Sequence, residues 1–63
     1  MDIFTQYSYE KKWMKTSQKD ALSMIEEEMP ETDPESTLKY ILSEISKGKV
    51  VTLGGCRFSS TSG

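Results

Sequence analysis

Histidine is absent from this 63-residue sequence, and cysteine occurs once, at Cys56. The missing histidine removes the usual acid–base group near neutral pH and the commonest transition-metal ligand. One thiol forms no intrachain disulfide, and a structural zinc site needs about four Cys or His ligands. A nucleophilic Cys56 would need a base or a local positive charge. Arg57 and Lys49 offer charge, but no base accompanies them, so Cys56 reads as a small buried thiol. Carboxylates are plentiful, yet a paired-carboxylate mechanism needs a walled cleft that so short a chain hardly builds. The inventory predicts a non-enzyme that holds no metal and no cofactor.

Long apolar runs are also lacking. Aliphatic pairs such as Ile41-Leu42 and Val50-Val51 are far too short to span a bilayer. Asp2 stands where a signal peptide carries a base, and no apolar stretch of about 7–15 residues follows it. The single thiol suits a reducing compartment, so a soluble, cytoplasmic chain with no membrane partner is expected. At this size burial gains and ordering costs nearly cancel. With disulfides and metals excluded, stability points to a second chain: a homodimer or an obligate partner.

Two helices are written into what is present. Asp33 is a good N-cap, Pro34 follows at the first helical position, and Glu35 suits the first turn. Leu38, Ile41, Leu42 and Ile45 recur at helical spacing, and Gly48 stands where a left-handed residue ends a helix. This predicts a helix over 34–47. Ser17 with Asp20 resembles a capping box with a shorter acid. Ala21, Leu22, Ile25 and Met29 make a stripe that Pro30 ends, which predicts a helix over 18–29 and an elbow over 30–33.

After Gly48 the period changes to two. Val50, Val51 and Thr52 are β-branched, Gly54-Gly55 suits a two-residue turn, and the chain returns from Cys56 as a hairpin. Ile3, Phe4, Thr5, Tyr7 and Tyr9 predict a further strand over 3–9; the competing reading is a helix capped by Asp2. The expected fold is therefore α+β, a helical hairpin packed on a small antiparallel sheet in the order β-α-α-β-β and completed by dimerisation. Residues 1–58 form one domain in this reading, and 59–63 a disordered tail.

Charge is the most uneven property. Glu26, Glu27, Glu28, Glu31, Asp33 and Glu35 fall within ten residues that hold no lysine or arginine, under a net charge of only −2. Lys11, Lys12, Lys15 and Lys19 precede this block; Lys39, Lys47, Lys49 and Arg57 follow it. The first helix is thus charged against its own dipole, at about 0.3–1 kcal/mol per misplaced charge. Local rules broken without compensation tend to mark functional sites, although charge blocks are often only solvated faces. The spacing of Glu31, Asp33 and Glu35 matches no calcium loop.

Two functions compete. In the first, the chain is a protein–protein interaction module (a regulator, inhibitor or adaptor). Glu26, Glu27, Glu28, Glu31 and Asp33 would meet a basic partner surface, and Tyr7, Tyr9 and Trp13 would anchor the interface. In the second, Lys11, Lys12 and Lys15 neutralise nucleic-acid phosphates beside stacking aromatics. The helical pair followed by Lys47-Gly48-Lys49-Val50-Val51-Thr52-Leu53-Gly54-Gly55 somewhat resembles the amino-terminal half of the HU/IHF family of DNA-bending proteins. That family carries Phe-Gly where Cys56 and Arg57 stand, and it has a basic DNA-gripping arm and the opposite charge balance. The resemblance therefore does not make this chain a member.

Overall fold

The computed structural model describes residues 2–61. Among them the order is β1 (Ile3–Tyr7), β2 (Met14–Thr16), α1 (Gln18–Glu28), α2 (Pro34–Ser46), β3 (Val51–Leu53) and β4 (Cys56–Ser59). The four strands form one antiparallel sheet in the spatial order β2-β1-β4-β3, and the helices pack as a pair against one of its faces. The fold is α+β, with strand rather than helix at the start.

The order expected from sequence lacked β2. Residues 8–13 turn the chain back, with the Glu10 N–H donating to the Tyr7 carbonyl (2.9 Å), so β1 stops at Tyr7 and Tyr9 is not a strand residue. The return strand Met14–Thr16 is three residues long. Met-Lys-Thr is too brief to display a period of two and has one β-branched residue. At the other end β4 runs through Ser59, which pairs with Phe4 and is buried. Its hydroxyl accepts from the Thr61 N–H (3.2 Å), so the expected disordered tail begins too early at 59. Of that tail, Ser62 and Gly63 lie outside the described residues.

Both helices start as their caps dictate. Ser17 accepts from the Asp20 N–H (3.1 Å). Asp33 accepts from the Glu35 N–H (3.3 Å) and the Ser36 hydroxyl (2.8 Å). At the end of α2, Gly48 takes φ +84°. Its N–H donates to the Ile45 carbonyl (3.0 Å) and the Lys49 N–H to the Glu44 carbonyl (3.3 Å), the paired bonds of a Schellman motif.

The core is Ile3, Ala21, Met24, Ile25, Leu38, Ile41, Ile45, Cys56 and Phe58. Alternation along the strands and the cross-strand partners place Ile3, Thr5, Tyr7, Met14, Thr16, Val51, Leu53, Cys56 and Phe58 on the helix side. Phe4, Gln6, Lys15, Thr52, Arg57 and Ser59 occupy the opposite face, which no helix covers. The Thr5 and Thr16 hydroxyls share a 2.6 Å hydrogen bond, which satisfies the buried Thr5 hydroxyl and ties β2 to β1.

Candidate functional site

The acidic block is not one surface. Glu28 leaves the elbow: its carboxylate accepts from the Gly55 N–H (3.3 Å) and lies over the β3–β4 turn. That turn has positive φ at Gly54 (+57°) but not at Gly55, the pattern of a type II′ hairpin. A Cβ at Gly54 would stand 2.6 Å from Glu28 Oε2, so the glycine supplies both the conformation and the room. The unfavourable charge at the end of α1 thus gains a compensating contact at Glu28. Asp33 is also engaged, as the N-cap of α2. Among the described residues, Glu26, Glu27, Glu31 and Glu35 form no ion pair. The elbow itself, Met29 to Thr32, is tied internally by the Thr32 N–H and hydroxyl, which both donate to the Met29 carbonyl (3.2 and 2.9 Å).

Glu27 points elsewhere. An open groove of about 320 Å³ runs between α1 and the β1–β2 edge of the sheet. Asp20, Ser23, Met24 and Glu27 line its helix wall; Thr5, Tyr7, Met14, Lys15 and Thr16 line its sheet wall. Tyr7, on the sheet wall, stacks with Tyr9, ring centroids 5.4 Å apart and planes inclined by 10°. Tyr9 is 80% exposed and Met14 57%. Burial first, and then the Glu27 carboxylate, hold the Tyr7 phenol above its ordinary range. One acid and one aromatic singled out in the sequence, Glu27 and Tyr7, therefore line this groove, and a second aromatic, Tyr9, stacks on Tyr7.

Of the other residues singled out, only Lys15 borders the groove. Glu26 and Glu31 are exposed away from the groove, and Trp13 is half-buried in the β1–β2 connection. Lys11 and Lys12 are exposed in the same connection, and Lys15 lies 3.6 Å from Asp2 on the outer sheet face. Lys11 and Lys12 thus do not line the groove with Tyr7, and Lys15 does. Sequence reading missed Asp20, Ser23, Met24, Met14, Thr5 and Thr16. Asp20, Ser23, Met24 and Glu27 recur at helical spacing beside the apolar stripe, which is the signal that marks a second face of α1.

Cys56 is closed off from chemistry. It is buried, its thiol donates to the Leu53 carbonyl (3.2 Å), and burial together with Glu28 pushes its pKa up to about 11. No cluster of three or more Cys, Asp or Glu suited to a metal occurs among the described residues, and none of their helices is long and apolar enough to cross a membrane. No known protein family matches the sequence, and neither curated proteins nor solved structures yield a significant relative.

Proposed function

We propose that this chain is a non-catalytic protein-interaction module, a regulator, inhibitor or adaptor, whose partner seats a basic segment in the groove between α1 and the β1–β2 edge. The observation that carries this reading is the meeting in the groove lining of Glu27 with Tyr7, which is itself stacked with Tyr9. Tyrosines present rigid apolar area with a polar tip and accept cations on their faces. Met14 and Met24 add an adaptable apolar lining. Asp20 and Glu27 supply charge for a lysine or arginine, and Glu26 and Glu31 extend the negative field that steers a basic partner. A thiol held protonated at neutral pH and the absence of histidine support the non-catalytic part of the reading.

The test is capture from native lysate with wild type and the triple variant Glu26→Lys, Glu27→Lys, Glu31→Lys in parallel, each with and without nuclease. Glu28 is kept because it holds the β3–β4 turn. The expected result is a nuclease-resistant partner retained by wild type, lost from the variant and weakened by added salt, with unchanged circular dichroism. Equal retention by both proteins overturns the reading.

A second reading, nucleic-acid binding, is favoured by one observation: the sheet face without helices carries Phe4, Lys15 and Arg57, and Lys11 and Lys12 are exposed in the connection that leads into β2. It predicts oligonucleotide affinity that falls steeply with salt. No binding at about 50 mM salt, where phosphate contacts are strong, removes it.

A further inference from the structure

We infer that two copies of this chain join through their β3 edges, forming one continuous eight-stranded antiparallel sheet across a two-fold axis at Thr52. This lies at the far edge of the sheet from the groove and is independent of it. Leu53 and Cys56 flank a two-residue turn, so they form a hydrogen-bonded pair and the pattern alternates from there. Val51 faces Phe58 in the next hydrogen-bonded pair, while Thr52 lies in the non-bonded position opposite Arg57. The N–H and C=O of Thr52 therefore point away from β4, along the free edge.

The edge is self-complementary. An antiparallel pairing centred on Thr52 lets each Thr52 exchange both backbone bonds with its counterpart. Val51 then faces the partner's Leu53 on the helix side, where both residues are only half-buried in the single copy. Val50, 53% exposed, comes to the partner's Gly54, which has no side chain to oppose it. Lys49 comes to the partner's β3–β4 turn, where the partner's Glu28 carboxylate lies. In the single copy Lys49 shares Glu44 with Lys47, at 4.0 Å against 3.4 Å, so a second carboxylate improves the charge balance. Tyr40, 60% exposed, stands one turn before Glu44 on the flank of α2 beside this edge. No proline or lysine within β3 blocks pairing, as natural edge strands commonly arrange. The pairing also supplies the second chain that a domain this small tends to need.

The experiment is sedimentation velocity of the full chain at about 0.1 mM, a range that detects even modest affinities, combined with amide hydrogen exchange. Wild type is expected at twice its 7.2 kDa mass, with the Thr52 amide protected in the dimer and unprotected after dilution to monomer. Thr52→Lys places like charges opposite one another on an exposed position and is expected to weaken association about tenfold or more. Thr52→Pro removes the outward N–H without touching the β4 ladder and is expected to abolish dimerisation. Should the proline variant fail to fold, the lysine variant carries the test. A monomer at 0.1 mM overturns the inference, as does a dimer in which the Thr52 amide exchanges freely or Thr52→Lys has no effect.

Discussion

The sheet ends in two edge strands of equal length, and they are built to opposite effect. β2 and β3 are each three residues long, so shortness protects both alike. In β3 the residue whose backbone faces outward is Thr52, between Val51 and Leu53. In β2 it is Lys15: the Ser8 N–H donates to the Gly55 carbonyl, which fixes the alternation in β1 and turns Ile3 and Thr5 toward Thr16 and Met14. A two-fold pairing of β2 would oppose Lys15 with Lys15, a like-charge pair that disfavours contact. The difference is one side chain at the centre of each edge. Under the pairing proposed above, it leaves the β3 side open to a second copy, while the β2 side keeps its groove beside α1.

The sharpest way to probe this division is to ask which edge the core supports. Phe58 is fully buried and faces Val51 on β3 and Thr5 on β1. Phe58→Ala should cost about 3–5 kcal/mol, enough to unfold a domain of this size. Met14→Ala, at a side chain 57% exposed on β2, should cost well under about 1 kcal/mol. Urea denaturation measures both. Similar costs would mean that Met14 on the β2 edge carries as much of the core as Phe58 between β1 and β3, against the exposure of one and the burial of the other.

Alkaline pH is the next largest effect and acts first through Cys56 on β4, with the raised Tyr7 phenol on the groove side adding to it. The ionised thiolate of Cys56 is disfavoured in the fold, since its pKa rises from 9.0 to about 11. The unfolded chain therefore loses its proton first. The Cys56 contribution is complete below pH 9, falls between about 9 and 11, and levels above that range, a loss on the order of 2–3 kcal/mol. Cys56→Ala should flatten the part of the profile that belongs to this group. A profile identical to that of wild type in denaturant titrations across this range would show that the thiol is not held as described.

How far this arrangement could be read beforehand differs by element. α1 and α2 are announced by local chemistry: Ser17 and Asp33 cap them, Pro30 ends one and Gly48 the other, and each device acts within a few residues. The β3–β4 hairpin is legible for the same reason, through Gly54-Gly55. β2 is not, because Met14-Lys15-Thr16 becomes a strand only by pairing with β1, a tertiary event that leaves no periodic trace in three residues. The site divides in the same way. Glu27 and Tyr7 stood out by residue type and line one groove, with Tyr9 stacked on Tyr7. The departure of Glu28 to the Gly55 amide joins positions 27 residues apart, and no local rule marks it.

The link between β1 and β2 comes next in size. The Thr5 hydroxyl is buried and is satisfied by Thr16 at 2.6 Å. Thr16→Ala leaves that hydroxyl without its partner, at a cost of about 1–2 kcal/mol. It should also raise hydrogen exchange at the amides of Met14 and of residue 16, which face β1, while leaving the β3–β4 ladder protected. Thr16→Ser keeps the hydroxyl and should restore most of the loss. If exchange rises equally at both edges, β2 and β3 do not open separately.

The smallest effect on stability is the most telling for the comparison. Lys15→Thr gives β2 the same central residue as β3. The ion pair it removes, Lys15 with Asp2 at 3.6 Å, is exposed on both sides, so stability should change by no more than about 0.5 kcal/mol. Association should change far more, because a chain with two permissive edges no longer closes on itself: dimers formed through β3 would join through β2 into open-ended sheets. Sedimentation should then show species heavier than a dimer, growing with concentration, and restoring a charge with Lys15→Arg should remove them. A Lys15→Thr protein that sediments like wild type would show that this lysine is not what keeps β2 free. The outward-facing residue would then lose its place as the cause of the difference between the two edges.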